Sequence, residues 1–268
     1  MNETSIKPIL GKYIISGRIV LLSGTRVGGS DIGISIGGLD NPVIRNPLTG
    51  QPYLPGSSLK GKMRALLERL KEKKLKLHGS GKNAIRRHEC ADTTCEICRL
   101  FGSSPKINDE KTNIPSRIIV RDAHLTEESR ESLERMETDA PYTEWKMENA
   151  LDRITCHASP RSFERVPANA EFSFEIIYTA EKADEIEEDL RNIFTALELI
   201  EDDYIGSSGS RGYGKVRFEV DRLIVKPKSY YEGKQQNVIS FDLKDKSVSS
   251  LKERVSELSK NLQKLLEG

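Results

Sequence analysis

No stretch of the 268 residues approaches the ~18 consecutive apolar positions that a membrane-spanning helix needs. The start, M-N-E-T-S-I-K, has no basic patch running into an apolar stretch, so no secretory leader is expected. The end is a charged, helix-like segment without a lipidation box. Hydrophobic residues make up 36% and the mean hydropathy is −0.52. A soluble globular chain with no membrane partner is therefore expected, in the cytoplasm. Net charge is nearly absent as well. Lys plus Arg number 42 and Asp plus Glu 41, which leaves +1 and announces no nucleic-acid partner by itself.

That small total conceals segregation. Residues 45–87 carry twelve Lys/Arg and two Glu, residues 181–203 ten acids and two cations, and residues 122–144 eight acids and two Arg. Such asymmetry is a better guide to partners than the sum. A basic stripe with acidic neighbours can seat a polyanion on one face, while the acidic blocks meet basic patches on neighbouring subunits.

Two halves of the chain share one grammar. Residues 12–22 (K-Y-I-I-S-G-R-I-V-L-L) are rich in β-branched and apolar residues and predict a buried strand. A Gly- and Pro-rich stretch leads to a helix in which Ser57 or Ser58 is the expected cap. Leu59, Met63, Leu66, Leu67 and Leu70 then fall at i, i+4, i+7, i+8 and i+11, one apolar helix face. In the second half, Phe172, Phe174, Ile176 and Tyr178 alternate with mainly polar residues, the strand period. Ile186, Leu190, Ile193, Phe194 and Leu197 repeat the helical spacing. Further strands are predicted over 117–125 and 215–225. The order strand, helix, strand, strand, helix, strand predicts an α+β, ferredoxin-like (RRM-like) βαββαβ core with an antiparallel sheet. The core is expected within a single domain, 1–240, interrupted at 23–57, 78–105 and 126–170. An amphipathic helix over 241–268 follows, packing on its own domain or on a partner subunit. Loops of such length are uncommon unless they carry function.

Of four cysteines, three stand within nine residues: Cys90, Cys95 and Cys98, with His88 two positions before the first. Thiolate and imidazole at such spacings suit tetrahedral zinc, with His78 in reserve for the fourth position. A disulfide knob would leave one sulfur over, in a chain with no mark of secretion. Four protein ligands close a site, so a structural role is expected, stapling an insertion too small for its own core. Cys156 stands apart and is expected to be a small buried hydrophobe.

Two segments come close to a phosphate-binding loop. Gly56-Ser-Ser-Leu-Lys-Gly-Lys62 is followed by Met63, where a nucleotide-binding loop needs Ser or Thr to hold magnesium. Gly209-Ser-Arg-Gly-Tyr-Gly-Lys215 leads into a strand instead of a helix. Neither predicts a nucleoside triphosphatase. The first places helix-start N–H groups beside Lys60, Lys62 and Arg64, a geometry that accepts phosphate. The second is a Gly/Ser loop bearing Arg211 and one bulky residue, Tyr213, and a nucleic-acid backbone can lie close against it.

The segment L-D-N-P-V-I-R-N-P-L-T-G-Q-P-Y-L-P-G-S-S-L-K-G-K-M-R, Leu39–Arg64, resembles the signature of the RAMP proteins of CRISPR systems. Y-T-E-W-K-M-E-N-A-L-D-R-I-T, Tyr142–Thr155, and G-S-S-G-S-R-G-Y-G-K-V, Gly206–Val216, extend the likeness to the repeated backbone subunit of the type III-A (Csm) effector complex. The resemblance covers most of residues 12–225. It implies copies stacked along a CRISPR RNA, a β-hairpin thumb from each copy wedged into the guide–target duplex, and antiviral cleavage of target RNA at regular intervals.

The resemblance also assigns residues. Asp40 is the implied catalytic aspartate, working with magnesium or another divalent cation, and Asp31 is the competing carboxylate. Arg45, Lys60, Lys62, Arg64, Arg153, Ser208, Arg211 and Tyr213 are the implied RNA contacts, with Arg153 on the thumb. Implied partners are the CRISPR RNA, single-stranded target RNA, other copies, and other Csm subunits, including the neighbouring RAMP subunit that holds the guide 5′ end. Two alternatives stand beside this: a structural RNA-binding subunit that cuts nothing, and a CRISPR-RNA-processing endoribonuclease. The latter calls for a general acid–base pair near the glycine loop, and none of His78, His88, His124 or His157 is near it in sequence.

Overall fold

The computed structural model of the chain describes residues 8–28, 42–107, 110–111, 113–137, 140–234, 238–243 and 245–260. The strand Gly11–Leu21 runs through the middle of the main sheet. Its alternate residues Tyr13, Ile15, Ile19 and Leu21 are fully buried, as period two requires when one face meets a core. It pairs antiparallel with Glu171–Ala180 on one side and Val216–Pro227 on the other. Ile118–Val120 and Ala123–Leu125 extend the sheet beyond Glu171–Ala180. Tyr53–Leu54 and Ile239–Asp242 form the edges. Counting the principal strands in chain order, their order in the sheet is fourth, first, third, second. That is the ferredoxin-like arrangement the periodicity predicts.

Helices Gly56–Leu70 and Ile186–Asp202 pack against each other. Leu59, Met63 and Leu67 of the first, and Ile186, Leu190, Ile193, Phe194 and Leu197 of the second, enter one core with the buried sheet residues. Phe174 and Phe218 meet edge to face at 5.5 Å within it. Leu70, expected on the apolar face, is 52% exposed, at the last helical residue.

The first helix starts differently from expectation. Neither Ser57 nor Ser58 caps it; the cap position is Pro55, without a side-chain hydrogen bond. Asp122 supplies the acceptor instead, its Oδ1 2.7 Å from the Gly56 N–H. This also explains why the strand predicted over 117–125 is broken in two. The Arg121 N–H still donates to the Glu175 carbonyl at 3.1 Å, but Asp122 leaves the ladder and turns to the helix. The approach is so close that a β-carbon at Gly56 would stand 2.2 Å from the Val120 carbonyl oxygen. Sequence-distant capping of this kind satisfies an orphan N–H and complements the helix dipole.

Beyond the core, the chain makes a small hairpin, Lys76–His78 with Ile85–Arg87, and a short helix, Glu96–Phe101. After helix Glu127–Arg135, capped by Thr126, a long hairpin pairs Glu144–Leu151 with Ala158–Arg165. Residues 151–161 of this hairpin are exposed throughout. Cys156 lies in its turn at φ +56° and is exposed, correcting the expectation of a buried hydrophobe. The C-terminal helix starts at Val248, capped by Ser247. Val248, Leu251, Val255 and Leu258 are buried in the chain's own core. Lys252 pairs with Glu198, and Ser256 Oγ donates to Glu187 Oε1 at 2.6 Å. Of the two packing options left open by the sequence, it takes its own domain.

Candidate nucleic-acid interface and metal centre

His88, Cys90, Cys95 and Cys98 converge, their ligand atoms all within 4.8 Å of one another. Cys90 Sγ lies 3.4 Å from Cys98 Sγ, and Cys95 Sγ 3.4 Å from His88 Nε2. Ligands about 2.3 Å from a tetrahedral ion stand roughly 3.5–3.8 Å apart, so the donor set fits one metal ion. The chemistry of the set, three thiols and an imidazole, supports the same conclusion. His88 Nδ1 is 2.9 Å from the Lys74 carbonyl, which holds its proton there and leaves Nε2 for an ion. The Cys98 hydrogen bond pulls the Cys95 thiol down to about 4. The same contact and burial push Cys98 up. His78, the reserve ligand, lies outside the cluster, its Nδ1 3.4 Å from Glu89 Oε2.

The cluster is anchored by the first helix. Arg64 donates to the His88 carbonyl, to the Gly102 carbonyl at 3.1 Å, and to Glu68 at 2.8 Å. Glu68 also accepts from the His88 N–H at 3.1 Å. Behind the cluster, buried Arg99 binds Glu188 and Asp189, and buried Arg117 binds Glu181, Glu185 and Asp189. Tyr178 donates to Asp189 Oδ2 at 2.9 Å. The acidic block over 181–203 is thus partly spent on cations of the chain's own first half, Lys62–Asp203 included, and is not wholly left for neighbouring subunits.

The cations implied as RNA contacts differ in what holds them. Lys60 Nζ donates to Ser116 Oγ at 2.7 Å and the Ile118 carbonyl at 3.1 Å; burial, then Arg64, lowers its pKa. Lys62 sits 3.7 Å over the Tyr204 ring as well as on Asp203. Arg45 donates through Nη1 to the Gly50 and Pro141 carbonyls, and through Nη2 to Thr143 and Glu164. With Asp122 already on the Gly56 N–H, this helix start is not the open phosphate cradle that its composition suggests.

The glycine loop and the hairpin lie together. Arg211 reaches Ser208 Oγ at 2.7 Å and Glu148 at 3.3 Å. Tyr213 is buried between two cations, Lys146 at 4.4 Å and Arg165 at 5.1 Å from its ring. Gly214, at φ +76°, is required here, since a β-carbon would stand 2.1 Å from the Ile205 oxygen. At the hairpin tip, Asp152 Oδ1 accepts from the N–H groups of Ile154 and Thr155 at 3.0 and 2.6 Å. The turn presents Arg153 and Ile154 to solvent, Ile154 being 93% exposed. Asp31 and Asp40 lie outside the described residues. The described ends of that loop are bridged: Gly28 pairs with Val43, and the Ile44 N–H donates to the Val27 carbonyl at 2.9 Å.

Sequence reasoning missed Glu164. It is 3% exposed and accepts from the Val43 N–H, Thr143 Oγ1 and Arg45. Nothing in the local pattern of the hairpin singles it out. The histidines serve elsewhere: His124 stacks near Tyr53, and His157 lies in the hairpin turn, where its carbonyl accepts from the Asp152 N–H. Among the described residues no helix is long and apolar enough to cross a membrane.

The model for the RAMP superfamily matches residues 18–217. A protein of Methanocaldococcus jannaschii, named CRISPR system Cms endoribonuclease Csm3, is 43% identical over 253 residues, covering 93% of this chain and 94% of that one. Among solved structures, Csm3 of Methanopyrus kandleri superposes with a TM-score of 0.67 at 26% identity, over 94% of this chain and 98% of that chain. A chain of the Csm3–Csm4 subcomplex of the type III-A CRISPR–Cas interference complex gives a TM-score of 0.59 at 32% identity, over 93% and 97%.

Proposed function

The chain belongs to the RAMP superfamily, and from that premise we propose that it is a backbone subunit of a type III-A CRISPR interference complex and an endoribonuclease within it. The observation that carries this is its 43% identity, across 93% of its length, to a protein named a CRISPR-system endoribonuclease. In this reading it works in the cytoplasm. It binds CRISPR RNA and single-stranded target RNA, stacks on copies of itself, and contacts other Csm subunits, including the RAMP subunit at the guide 5′ end.

Sequence selection falls to guide–target pairing, so this chain needs phosphate contacts and no base-reading code. The exposed cation at the hairpin tip, Arg153, suits a phosphate reached when the hairpin enters a duplex. Ser208 and Arg211 lie in the glycine loop beside the hairpin, whereas Tyr213 is buried between Lys146 and Arg165 and braces the loop from within instead of meeting RNA. Lys60 and Arg64 join the interface only with donors left over from their in-chain partners, and Lys62, held by Asp203 and the Tyr204 ring, contributes little. Cleavage is assigned to Asp40. Its carboxylate oxygens suit magnesium, with phosphate and water completing the shell, and the ion would neutralise charge on the scissile phosphate; Asp31, nine residues earlier, is the competing carboxylate. His88, Cys90, Cys95 and Cys98 would hold zinc, as a closed structural site.

The test is the assembled complex, purified with co-expressed neighbouring subunits. The bound RNA should carry a guide-like repeat tag. Complex bearing Asp40→Ala should bind target RNA and not cut it. RNA-free protein at low salt would overturn the subunit reading, and undiminished cutting would overturn the role of Asp40.

A further inference from the structure

We propose that the small basic hairpin, Lys76–His78 with Ile85–Arg87, is a docking surface for a second copy of this chain, and that it meets the acidic helix Glu127–Arg135 of that copy, so that copies associate head to tail. The inference rests on the stacking of copies in the proposed function and names the two surfaces that make it.

The hairpin is fixed from below and uncovered above. Cross-strand partners share one face of a two-stranded sheet. Arg87, opposite Lys76, and His78, opposite Ile85, both turn to Glu89. Arg87 Nη2 lies 2.6 Å from Glu89 Oε1 and His78 Nδ1 3.4 Å from Oε2, and the Glu89 side chain is 2% exposed. An isolated two-stranded hairpin is marginal in water, so this buried anchor sets its orientation. Leu77 and Arg86, the pair between, therefore face away from the anchor, and both are exposed. Leu70, Leu75, Leu77 and Ile85 are each more than half exposed. Large aliphatic side chains gathered within residues 70–85 make a patch, unlike the scattered exposure normal for a surface.

Around this patch, residues 69–87 carry eight Lys/Arg and one Glu. Lys73 is engaged by Glu96 and Arg87 by Glu89. Lys74, Lys76, Lys82 and Arg86 are exposed, with no carboxylate partner among the described residues. Residues 69–100 contain no Phe, Trp or Tyr. Aliphatic projections ringed by cations, with no ring to stack a base, suit an acidic protein surface better than a nucleic-acid strand.

The complement stands on the same chain. Residues 127–137 carry five Glu against two Arg. Arg130 is spent on Glu127 and Glu134, and Arg135 on Glu131, while Glu128 has no cation partner among the described residues. Met136, exposed at the helix end, offers an adaptable apolar contact. A cavity of about 620 Å³ opens beside the helix, with Glu128, Ser129 and Ser132 along one side. The cations that line it, Arg18 and Lys246, are already held by Glu171 and Asp221. A projecting basic hairpin fits such a concavity.

The two surfaces lie at opposite ends of the sheet. The acidic helix is tied to the start of strand Glu171–Ala180: the Thr126 N–H donates to the Glu171 carbonyl at 2.9 Å, and the Glu171 N–H to Ser129 Oγ at 2.8 Å. Past the far end of that strand, Arg99 ties the His/Cys knuckle to Glu188 and Asp189. Its ten residues span roughly 30 Å. Complementary patches facing opposite ways make a heterologous contact, which adds copies in one direction.

The experiment uses complex assembled by co-expression with neighbouring subunits and guide RNA, and reads copies per complex by native mass spectrometry. One variant carries Lys74→Glu, Lys76→Glu and Arg86→Glu. A second carries Glu128→Lys and Glu131→Lys, and a third carries all of these substitutions. Reversing one side sets like charges face to face and should cut copies per complex by about twofold or more, with Tm unchanged because the side chains are exposed. The third variant, complementary again with the signs exchanged, should regain the wild-type number. If the hairpin reversal does not fold, Lys74→Ala with Arg86→Ala decides by the same count. Wild-type copy numbers in both one-sided reversals would overturn the inference. Loss that the third variant does not recover would overturn it too, and a parallel fall in bound RNA would make the hairpin an RNA contact instead. A wild-type complex that holds a single copy, or no RNA, would overturn the functional reading beneath it.

Discussion

Arg64 and His88 are joined directly: the guanidinium on the first core helix donates to the backbone carbonyl of a metal-cluster residue. Glu68, one turn along the same helix, closes the link by accepting from both Arg64 and the His88 N–H. The His/Cys knuckle is therefore built onto the helix and not hung from the chain as a separate bead.

Metal removal tests that construction. The knuckle contributes Cys95, Ile97, Cys98, Leu100 and Phe101 to the main core, so loss of the ion should loosen the neighbouring helix face too. Metal analysis of pure protein should find about one zinc per chain. Cys98→Ser should bind far less and raise amide exchange through Cys90–Phe101 and the second half of Gly56–Leu70. Metal-free protein with unchanged exchange would remove the stapling role. Arg64→Ala should keep the zinc and loosen only the junction.

Asp189, on helix Ile186–Asp202, is the centre of a second link, this one to Arg99 of the knuckle helix and to Arg117. It is fully buried and is bound by Arg99, Arg117 and Tyr178. Removing one member of a buried ionic cluster leaves uncompensated charge and costs about 3–5 kcal/mol. Asp189→Ala should therefore lower Tm by roughly 6–20 °C for a chain of this size, at about 2–4 °C per kcal/mol. A drop under a couple of degrees by calorimetry would mean that the two arginines find other partners.

How much of this is legible in the sequence follows from distance along the chain. The βαββαβ order is carried by apolar periods of two and near 3.6, which are local, and those residues, Leu70 apart, reach the core or pack against it. The His/Cys cluster is legible because its four members fall within eleven residues, His88 to Cys98. The Asp122 cap on Gly56 and the Glu164 junction are not, because each joins residues 66 and 121 positions apart. Composition could not distinguish a cation that meets RNA from one that meets its own chain. Lys62 and Arg99 look alike in sequence and are told apart only by Asp203 and Asp189.

Acid sensitivity should be visible at Glu185. Burial raises its pKa, but the Arg117 hydrogen bond and charge outweigh burial and hold it below the ordinary 4.5. Lys182 and Arg99 add to the effect. A carboxylate depressed on folding stabilises the protein above its unfolded value, and that stability is lost as pH falls through the folded value. Urea unfolding of the wild type should therefore weaken as pH drops below about 4.5. Glu185→Gln should be less stable at neutral pH and show a shallower loss in that acid window. Parallel curves for the two proteins would remove Glu185 from the account.

Arg153 and Lys62 give opposite expectations for the same measurement. Arg153 is exposed at the hairpin tip, in a turn shaped by Asp152. No partner for it is found among the described residues. Lys62 is held by Asp203 and the Tyr204 ring. Each phosphate contact releases condensed counterions, so losing one lowers the slope of log affinity against log salt by about one. In assembled, guide-loaded complex, Arg153→Ala should weaken target binding equally across target sequences and flatten that slope by roughly one per subunit engaged. Lys62→Ala should leave the slope nearly unchanged and instead lower Tm slightly, since an ion pair of that exposure is worth at most about 1 kcal/mol. Unaltered slope with Arg153→Ala would place the duplex away from the hairpin tip. A flattened slope with Lys62→Ala would show that RNA displaces Asp203, making the acidic end of helix Ile186–Asp202 a competitor for the basic stripe.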